Sequence, residues 1–527
     1  MASKQRDISI SEFFAKNRHL LGFDNPSKAL LTTIKEAVDN ALDACEESRI
    51  LPDLEIGVQQ RSENRFRVWI QDNGPGIVKA QIPNIFGRLL YGSKFHTLRM
   101  ARGQQGIGIS AAGMYGMLTT GKNVKINSKP GARSQAHHYE LRIDTKLNRP
   151  EIIKDNPIEW EGVKHGTRVE IELEARYQRG RQSVDEYLAQ TAITNPHAHI
   201  KYIRPDNEVV VYERSVNDVV HVPEAIKPHP YGVELGVLMK MAQDTEAKSM
   251  VEFLTSEFSR VSPRISQQIL DKGKISARKR VKSVDHEDAE KLYNAINSTK
   301  IRAPKTDCVV PIGEDELLKG LERVVDGDFY TVCTRPPSVY RGNPFQIECA
   351  LAYGGQGYDA TGAAVKAKKD EDDKEMMRVL RFANRVPLLY QQAGCAVFKS
   401  ILSTNWRNYG LSQSRGSLPA GPVTLIIHVA SVWVPFTSES KEAIAHYPEI
   451  IKEIQLAISE CGRRLGTYLR GVKKHKEEAK KKSYIKKYLP AIGEAIRDIL
   501  ELPDNKVEAM LEDLKNILEE TRANKVK

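Results

Sequence analysis

Apolar and polar positions change their period several times along this chain, and each change predicts an element. From Asn25 to about Ser48 apolar positions recur at helical spacing, with Asn or Ser to cap and Pro26 in the first turn. That pattern predicts one long amphipathic helix. Arg65 to Ile70 (RFRVWI) predicts a strand running into the turn cluster Asp72-Asn73-Gly74-Pro75-Gly76. Thr167 to Leu173 (TRVEIEL) alternates cleanly and predicts another. Lys227-Pro228-His229-Pro230-Tyr231-Gly232 reads as a boundary, followed to about Asp307 by helical patterns, one of them started by Ser262-Pro263. From Cys308 strands return, most clearly at Phe345–Ala352 and Val423–Val434. Between these two, Gly354 to Lys374 is rich in Gly, Ala, Lys and Asp and predicts a mobile loop. A long helix follows. Its stripe Tyr447, Ile451, Ile454, Ile458, Cys461, Leu465, Tyr468 and Val472 fits a coiled coil or a single helix lying across a sheet. Tyr484 to Leu500 adds a short apolar face ending the chain, and no internal repeat is visible.

Length and composition sharpen this into a multidomain α+β protein. At roughly 150 residues per domain, 527 residues predict three or four domains, and a 40% hydrophobic share is enough for real cores. The longest apolar run, Val423 to Val434, is broken by Thr424, His428 and Ser431, and the N-terminus lacks a continuous apolar segment. The expectation is therefore a soluble, cytoplasmic chain with no membrane association. Six cysteines lie far apart with no C-x-x-C pair, so a zinc ribbon or disulfide framework is not expected. Charge is uneven. Arg260 to Lys282 holds eight cations against Asp271 alone, and Arg463 to Lys487 holds eleven against Glu477 and Glu478. Two basic islands on a mildly acidic body suggest docking of a polyanion such as double-stranded DNA, through phosphate contacts.

Two nucleotide motifs fail on context. Gly116-Met-Leu-Thr-Thr-Gly121-Lys122 matches a P-loop except that Asn123 replaces the Ser or Thr, and it follows a helix-like stretch. Gly106-x-Gly108-x-x-Ala111 has a polar, basic segment where a Rossmann strand would be. Three other segments make sense together. Glu36, Asn40 and Asp43 differ by four and three residues and share one helix face, presenting oxygen ligands and a candidate base. Asp72-x-Gly74-x-Gly76 ends a strand and lets backbone approach a flat ligand beside a carboxylate. Gly103-Gln104-Gln105-Gly106-Ile107-Gly108 runs into the helix-like Ile109–Met117, the arrangement of an anion cradle. Gly166-Thr167 adds a hydroxyl at the start of a strand.

In this order these segments resemble the E-x-x-x-N, D-x-G-x-G, G-x-x-G-x-G and late-Thr motifs of the GHKL (Bergerat-fold) ATPases. Phe86 to Lys94, Lys227 to Gly232, Val434-Pro435-Phe436 and Ser440-Lys441-Glu442 narrow the resemblance to the B subunits of type IIB topoisomerases, the topoisomerase VI family, over nearly the whole chain. The departures are the charged insertion Gln356–Lys374 and Ser440 in place of an expected glycine. The resemblance implies a Bergerat α/β sandwich ATPase domain with an N-terminal strap (1–228), a small helix-two-turns-helix domain (229–307), an α/β transducer domain with a long C-terminal helix (308–470) and a basic helical tail (471–527).

It also implies ATP and Mg2+. Glu36 would be the general base and Asn40 the magnesium ligand. Asp72 would select adenine, Gly76 would permit close approach to the base, and Thr167 would sit near the adenine. Ser93, Lys94 and the lid Gly103, Gln104, Gln105, Gly106, Ile107, Gly108, Ile109 and Ser110 would enclose the triphosphate. Lys441, from the transducer, would reach the γ-phosphate and couple hydrolysis to domain movement. The implied partners are a second copy on ATP binding, through a strap with Ile8, Ile10, Phe13 and Phe14 as apolar candidates, and a DNA-cleaving A subunit in an A2B2 heterotetramer. Tyr484–Leu500 is the candidate element for docking the A subunit, and two duplexes of DNA are the substrate. The alternative is an ATP-dependent clamp or chaperone-like scaffold that does not act on DNA; salt-sensitive retention on duplex DNA separates the two.

Overall fold

The computed structural model describes residues 8–92, 97–103, 106–354, 376–438, 440–500 and 503–523. Apart from Gly354 the expected mobile loop lies outside them, as does the charged insertion within it.

The first part comprises α1 (Ile10–Lys16), α2 (Pro26–Glu47), β1 (Asp53–Ser62), β2 (Arg65–Asp72), α3 (Ile82–Gly87), α4 (Gly108–Thr120), β3 (Val124–Lys129), β4 (Ala136–Asp144), β5 (Arg149–Ile158), β6 (Gly166–Glu174), α5 (Val184–Thr194), β7 (His199–Ile203) and β8 (Val209–Tyr212). The strands form one sheet in the order β5-β4-β3-β6-β2-β1-β7-β8, with β1 and β7 parallel. β6 shows why it has one dry face: Val169, Ile171 and Leu173 are buried while Arg168, Glu170 and Glu172 alternate outwards. α2 is capped by the Asn25 side chain, which accepts from the Lys28 N–H at 2.9 Å. Its Leu30, Ile34, Val38, Ala41 and Leu42 belong to the core shared with β1, β2, α4 and α5. The strand expected at Arg65–Ile70 extends to Asp72, so Asp72 is held in the ladder opposite Thr167.

The helical middle consists of α6 (Leu235–Asp244), α7 (Met250–Glu257), α8 (Pro263–Gly273) and α9 (His286–Ser298). Ser249, Ser262 and Asp285 cap three of them, and Leu238, Phe253, Ile269, Leu270, Leu292 and Ile296 form a core of their own. Seven of the eight cations of the first basic island are exposed; Lys279 pairs with Asp288.

Beyond it come α10 (Glu314–Val324), β9 (Phe329–Thr334), β10 (Ser338–Tyr340), β11 (Asn343–Tyr353), β12 (Arg378–Ala383), β13 (Val386–Pro387), α11 (Ala396–Ser403), β14 (Val423–Ser431), α12 (Pro448–Leu500) and α13 (Asp504–Ala523). The second sheet runs β10-β11-β14-β12-β13, with β9 also on β11, and β12 lies parallel to β14. The strand expected to reach Val434 stops at Ser431, because residues 432–447 leave the ladder as a loop closed on itself by Thr437 N–H to Ala443 O (2.9 Å) and Ala445 N–H to Pro435 O (2.8 Å).

The ambiguous stripe on the long helix resolves towards a helix on a sheet. Ile450, Ile454, Ala457, Ile458 and Cys461 are buried, and the Cys461 thiol reaches Cys349 O of β11 at 3.4 Å. By its contacts the chain divides into Met1–Arg407 with Leu411–Gly462, and Asn408–Gly410 with Arg463–Lys527. The helix expected separately at Tyr484–Leu500 is the continuation of α12, which passes position 470 and Pro490 without a break. It does not end the chain, since α13 follows, with Leu511 of α13 against Gly493. No helix among the described residues is long and apolar enough to cross a membrane.

Candidate active site

One cavity of about 670 Å³ opens between the helix layer of the first sheet and two loops of the second. α2 contributes Lys28, Lys35, Glu36 and Asn40; the turn after β2 contributes Gly76, beside Asp72 at the strand's end; Gly103, Gly106, Ile107, Gly108 and Ile109 close it at the start of α4. Thr167 comes from β6. Pro387–Tyr390 and Ser440–Glu442 arrive from the other sheet.

Asp72 organises one end. Its Oδ1 accepts from Gly74 N–H (2.8 Å) and Thr167 N–H (3.1 Å), which leaves Oδ2 for a ligand. Burial pushes its carboxyl up to about 6 despite those two donors. The turn is pinned by Asn73, whose amide spans Asp53 N–H and Leu51 O, at 2.9 and 3.0 Å. Gly76 adopts φ +68°, and a Cβ there would fall 2.1 Å from Lys129 O. The close approach Gly76 permits is thus first of all to the end of β3. The Thr167 hydroxyl bonds Ser128 Oγ at 3.1 Å.

Glu36 and Asn40 mark the other end, one helical turn apart. Gly108 packs directly on the carboxylate: a Cβ there would lie 1.7 Å from Glu36 Oε2. Any larger residue at the start of α4 would displace the carboxylate. Lys35 lies 3.4 Å from Glu36 and 3.5 Å from Asp39; burial depresses its ammonium, but the two carboxylates outweigh burial and leave it raised. Lys441 stands on the 432–447 loop at φ +53°, an uncommon conformation for a residue with a side chain. Burial lowers its affinity for a proton, and the nearby Glu36 opposes that shift. Sequence pattern alone suggests a surface lysine starting a helix; the structure puts it in a loop at the cavity.

Asp43 faces away from this cavity. Its carboxylate pairs with Arg102 at 2.8 Å, and Arg102 also bonds both oxygens of Glu46 (2.7 Å each) and the Asn195 side chain. Glu46 further contacts His197 at 2.8 Å. Burial would raise the Glu46 carboxyl, but Arg102 and His197 hold it well below the usual range. The adjoining Ala101 carbonyl accepts from Asn384 Nδ2 at 3.0 Å, and Asn384 also bonds the Ser431 backbone. Asn384 and Arg385 form the two-residue β12–β13 turn with φ +48° and +68°. A buried polar network therefore joins α2, the foot of the glycine-rich segment and the second sheet.

Of the residues singled out in the sequence, Glu36, Asn40, Asp72, Gly76, Gly103, Gly106, Ile107, Gly108, Ile109, Thr167 and Lys441 line this one cavity. Ser110 does not: it is buried, with its hydroxyl 2.9 Å from both Ile85 O and Arg88 O, so that its one proton is shared between them or given to either, tying α3 to α4. Ser93, Lys94, Gln104 and Gln105 lie outside the described residues. Sequence reasoning missed Lys35, although it adjoins Glu36, and missed Lys28 and Tyr390, which have no local motif; Glu442 stands in the Ser440-Lys441-Glu442 segment but was given no role. The rejected P-loop is the C-terminal half of α4, ended by Gly121 at φ +71°.

Residues 25–148 match the histidine kinase-, DNA gyrase B- and HSP90-like ATPase family, and residues 304–482 match the topoisomerase VI B-subunit transducer family. Proteins named as the B subunit of type 2 DNA topoisomerase 6 align over nearly the whole chain. The one from Methanococcoides burtonii is 47% identical over 96% of this chain and 79% of its own length. The one from Archaeoglobus fulgidus is 45% identical over 95% and 81%, and the one from Pyrococcus furiosus 34% identical over 95% and 92%. With the ATPase motifs gathered at one cavity and these relatives spanning both sheets, the chain belongs to the family of type 2 DNA topoisomerase 6 B subunits.

Proposed function

We propose that this cavity binds and hydrolyses ATP to drive a topoisomerase VI, with the residue roles that follow. The observation that carries the reading is the meeting of Glu36, Asn40, Asp72 and the glycine-rich start of α4 with Lys441 from beyond β14. Asp72 Oδ2 accepts from the adenine amine, with Gly76 and Thr167 alongside. Glu36 polarises the attacking water as general base. Ser93, Lys94 and segment 103–109 enclose the triphosphate, with backbone N–H groups at the N-terminus of α4 favouring anionic charge. Lys441 neutralises charge developing on the γ-phosphate, and because it comes from the other sheet it reports hydrolysis to that sheet.

A magnesium ion fits the donors present. Asn40 offers an amide oxygen to the cavity, and among the described residues no cluster of three or more His, Cys, Asp or Glu could hold a metal by itself. Asn40 would hold Mg2+ together with phosphate and water oxygens, and the ion would offset phosphate charge.

The division into an ATPase portion (1–228), a helical portion (229–307), a transducer portion (308–470) and a basic tail (471–527) belongs to the same reading. ATP closes the cavity and joins two copies through the N-terminal segment. In this chain that segment carries exposed Ile8 and Phe13 and an inward Phe14, and Ser9 bonds the Thr145 carbonyl. The captured duplex then passes through a break made by the A subunit, for which the exposed Tyr488, Ile492, Ile499 and Leu500 near the end of α12 are the docking candidates. The exposed cations of Arg260–Lys282 supply phosphate contacts to DNA. Membership of the family supports this reading over a clamp that does not act on DNA. Co-purification with an A subunit and ATP-dependent relaxation of supercoiled DNA tests the whole. Lys441→Ala should lower ATP turnover by about a hundredfold and abolish relaxation; full relaxation by that variant would refute the coupling role.

Asp72 gives a separate prediction. A carboxyl raised from 3.8 to about 6 by burial disfavours the folded state. The cost is absent below the ordinary carboxylate range and fully present above pH 6, at roughly 3 kcal/mol. Asp72→Asn keeps an Oδ1 for Gly74 and Thr167 but turns a donor towards the adenine amine. At pH 7.5 it should hold or raise the melting temperature of the nucleotide-free protein while weakening ATP binding at least about a hundredfold. Calorimetry reads both, and unchanged ATP affinity would remove Asp72 from adenine recognition.

A further inference from the structure

Next to Lys441 on the 432–447 loop is Glu442, and its carboxylate is buried against the first turn of α2. Glu442 Oε1 lies 2.6 Å from Lys28 Nζ, with only 8% and 13% of the two side chains exposed. Lys28 also pairs with Asp24 at 2.9 Å and stands over the Tyr390 ring, 5.2 Å from its centre. Tyr390 is fixed in turn by buried Arg381 of β12, which donates to Leu388 O at 2.8 Å and Tyr390 O at 2.7 Å. Arg381 also reaches Glu442 O at 3.5 Å, so the loop touches its own sheet on one side, and among the described residues the Lys28–Glu442 ion pair ties it to the nucleotide helix on the other.

We infer that Lys28 and Glu442 form an interdomain latch that positions Lys441 in the ATP site. The reasoning is mechanical. Lys441 is a non-glycine residue in left-handed backbone, a conformation that persists only when its surroundings enforce it. Its own N–H is held by Ser438 O at 3.1 Å, a bond internal to the loop. Among the described residues, the ion pair between the loop and α2 is Lys28–Glu442, eight residues before Glu36. A buried, charge-assisted pair has a narrow geometric range, so making or breaking it moves Lys441 towards or away from Glu36. Lys28 and Glu442 act through Lys441 and are positioning residues. The inference rests on the proposed role of Lys441.

The test measures ATP hydrolysis by the complex with its A subunit and DNA, alongside the affinity of a non-hydrolysable ATP analogue. Glu442→Gln and Lys28→Met should each lower kcat about tenfold and change analogue affinity less than about threefold. The double variant should be no slower than either single one. In a Lys441→Ala background, Glu442→Gln should have no further effect, which a general loss of fold would not reproduce. Three results overturn the latch: multiplying effects in the double variant, an undiminished effect of Glu442→Gln without Lys441, or a tenfold affinity loss confined to Lys28→Met, which would make Lys28 a direct phosphate contact. If Glu442→Gln does not fold, the kcat-against-affinity split of Lys28→Met decides alone. Failure of Lys441→Ala to slow turnover would sink the functional reading itself, whereas a slow Lys441→Ala with a normal Glu442→Gln sinks only the latch.

Discussion

Replacing Glu36 with Gln is expected to cut ATP turnover by roughly 10²–10⁴-fold, the usual contribution of a positioned general base, while nucleotide binding remains measurable. The isosteric change is the informative one. Glu36 is wedged against the start of α4 so closely that Gly108 has no room for a Cβ. Gln fills the same space and keeps α2 and α4 in register, but it cannot take a proton from water. Its neighbour Lys35 then loses one of two carboxylate partners and keeps Asp39. Steady-state hydrolysis and analogue titration should therefore separate, with kcat collapsing and affinity within a few-fold of the parent. Turnover at the parental rate would remove Glu36 from the chemistry.

The largest effect on stability is expected beneath the site. Arg102→Met leaves buried Asp43 and largely buried Glu46, both on α2, without their cation. Removing one partner of a buried ion network costs about 3–5 kcal/mol, which for a region of this size lowers the melting temperature by roughly 6–20 °C. The pH dependence is specific. The Glu46 carboxyl is held below its ordinary 4.5 in the folded protein, so its stabilisation is present above that pH and is lost as pH falls towards the depressed value. In Arg102→Met an unpaired Glu46 carboxylate is a cost that protonation relieves, so the gap between parent and variant should shrink as pH falls and close only near the parent's depressed value. Thermal melting across pH checks this. A deficit below about 1 kcal/mol at neutral pH would mean that water reaches the network.

These two residues also mark how far the sequence could be read. Glu36, Asn40, Asp72 and the glycines around 103–108 were legible because each depends on a short-range rule: helix periodicity, a strand end, backbone leading into a helix. The same rules located α2 and β6. Arg102 was not legible, because its partners come from three separate stretches and only the fold brings them together. Lys28 and Glu442 lie 414 residues apart, and no sequence rule pairs them, although Glu442 follows Lys441 in the Ser440-Lys441-Glu442 segment. Lys441 was found through family resemblance, since a lysine in a polar loop has no local signature. Asp43 shows the opposite failure. Helical spacing placed it on the same face as Glu36 and Asn40, yet the charge of Arg102 turned it into a structural ion pair. Ser110 likewise sits in the first turn of α4, where its hydroxyl meets two carbonyls of the α3 region instead of the cavity. The strand stops at Ser431 instead of Val434 because the chain there enters the loop that delivers Lys441; Val432 and Val434 are buried all the same, which is why their pattern reads as strand.

The central claim is that one triphosphate is held between α2 and the Lys441 loop, and a structure of the complex bound to a non-hydrolysable ATP analogue tests it most directly. The account predicts the adenine amine on Asp72 Oδ2, the γ-phosphate within hydrogen-bond distance of Lys441 Nζ, and a water between that phosphate and Glu36. An analogue bound with its phosphates away from Lys441, or with adenine elsewhere than Asp72, would contradict it.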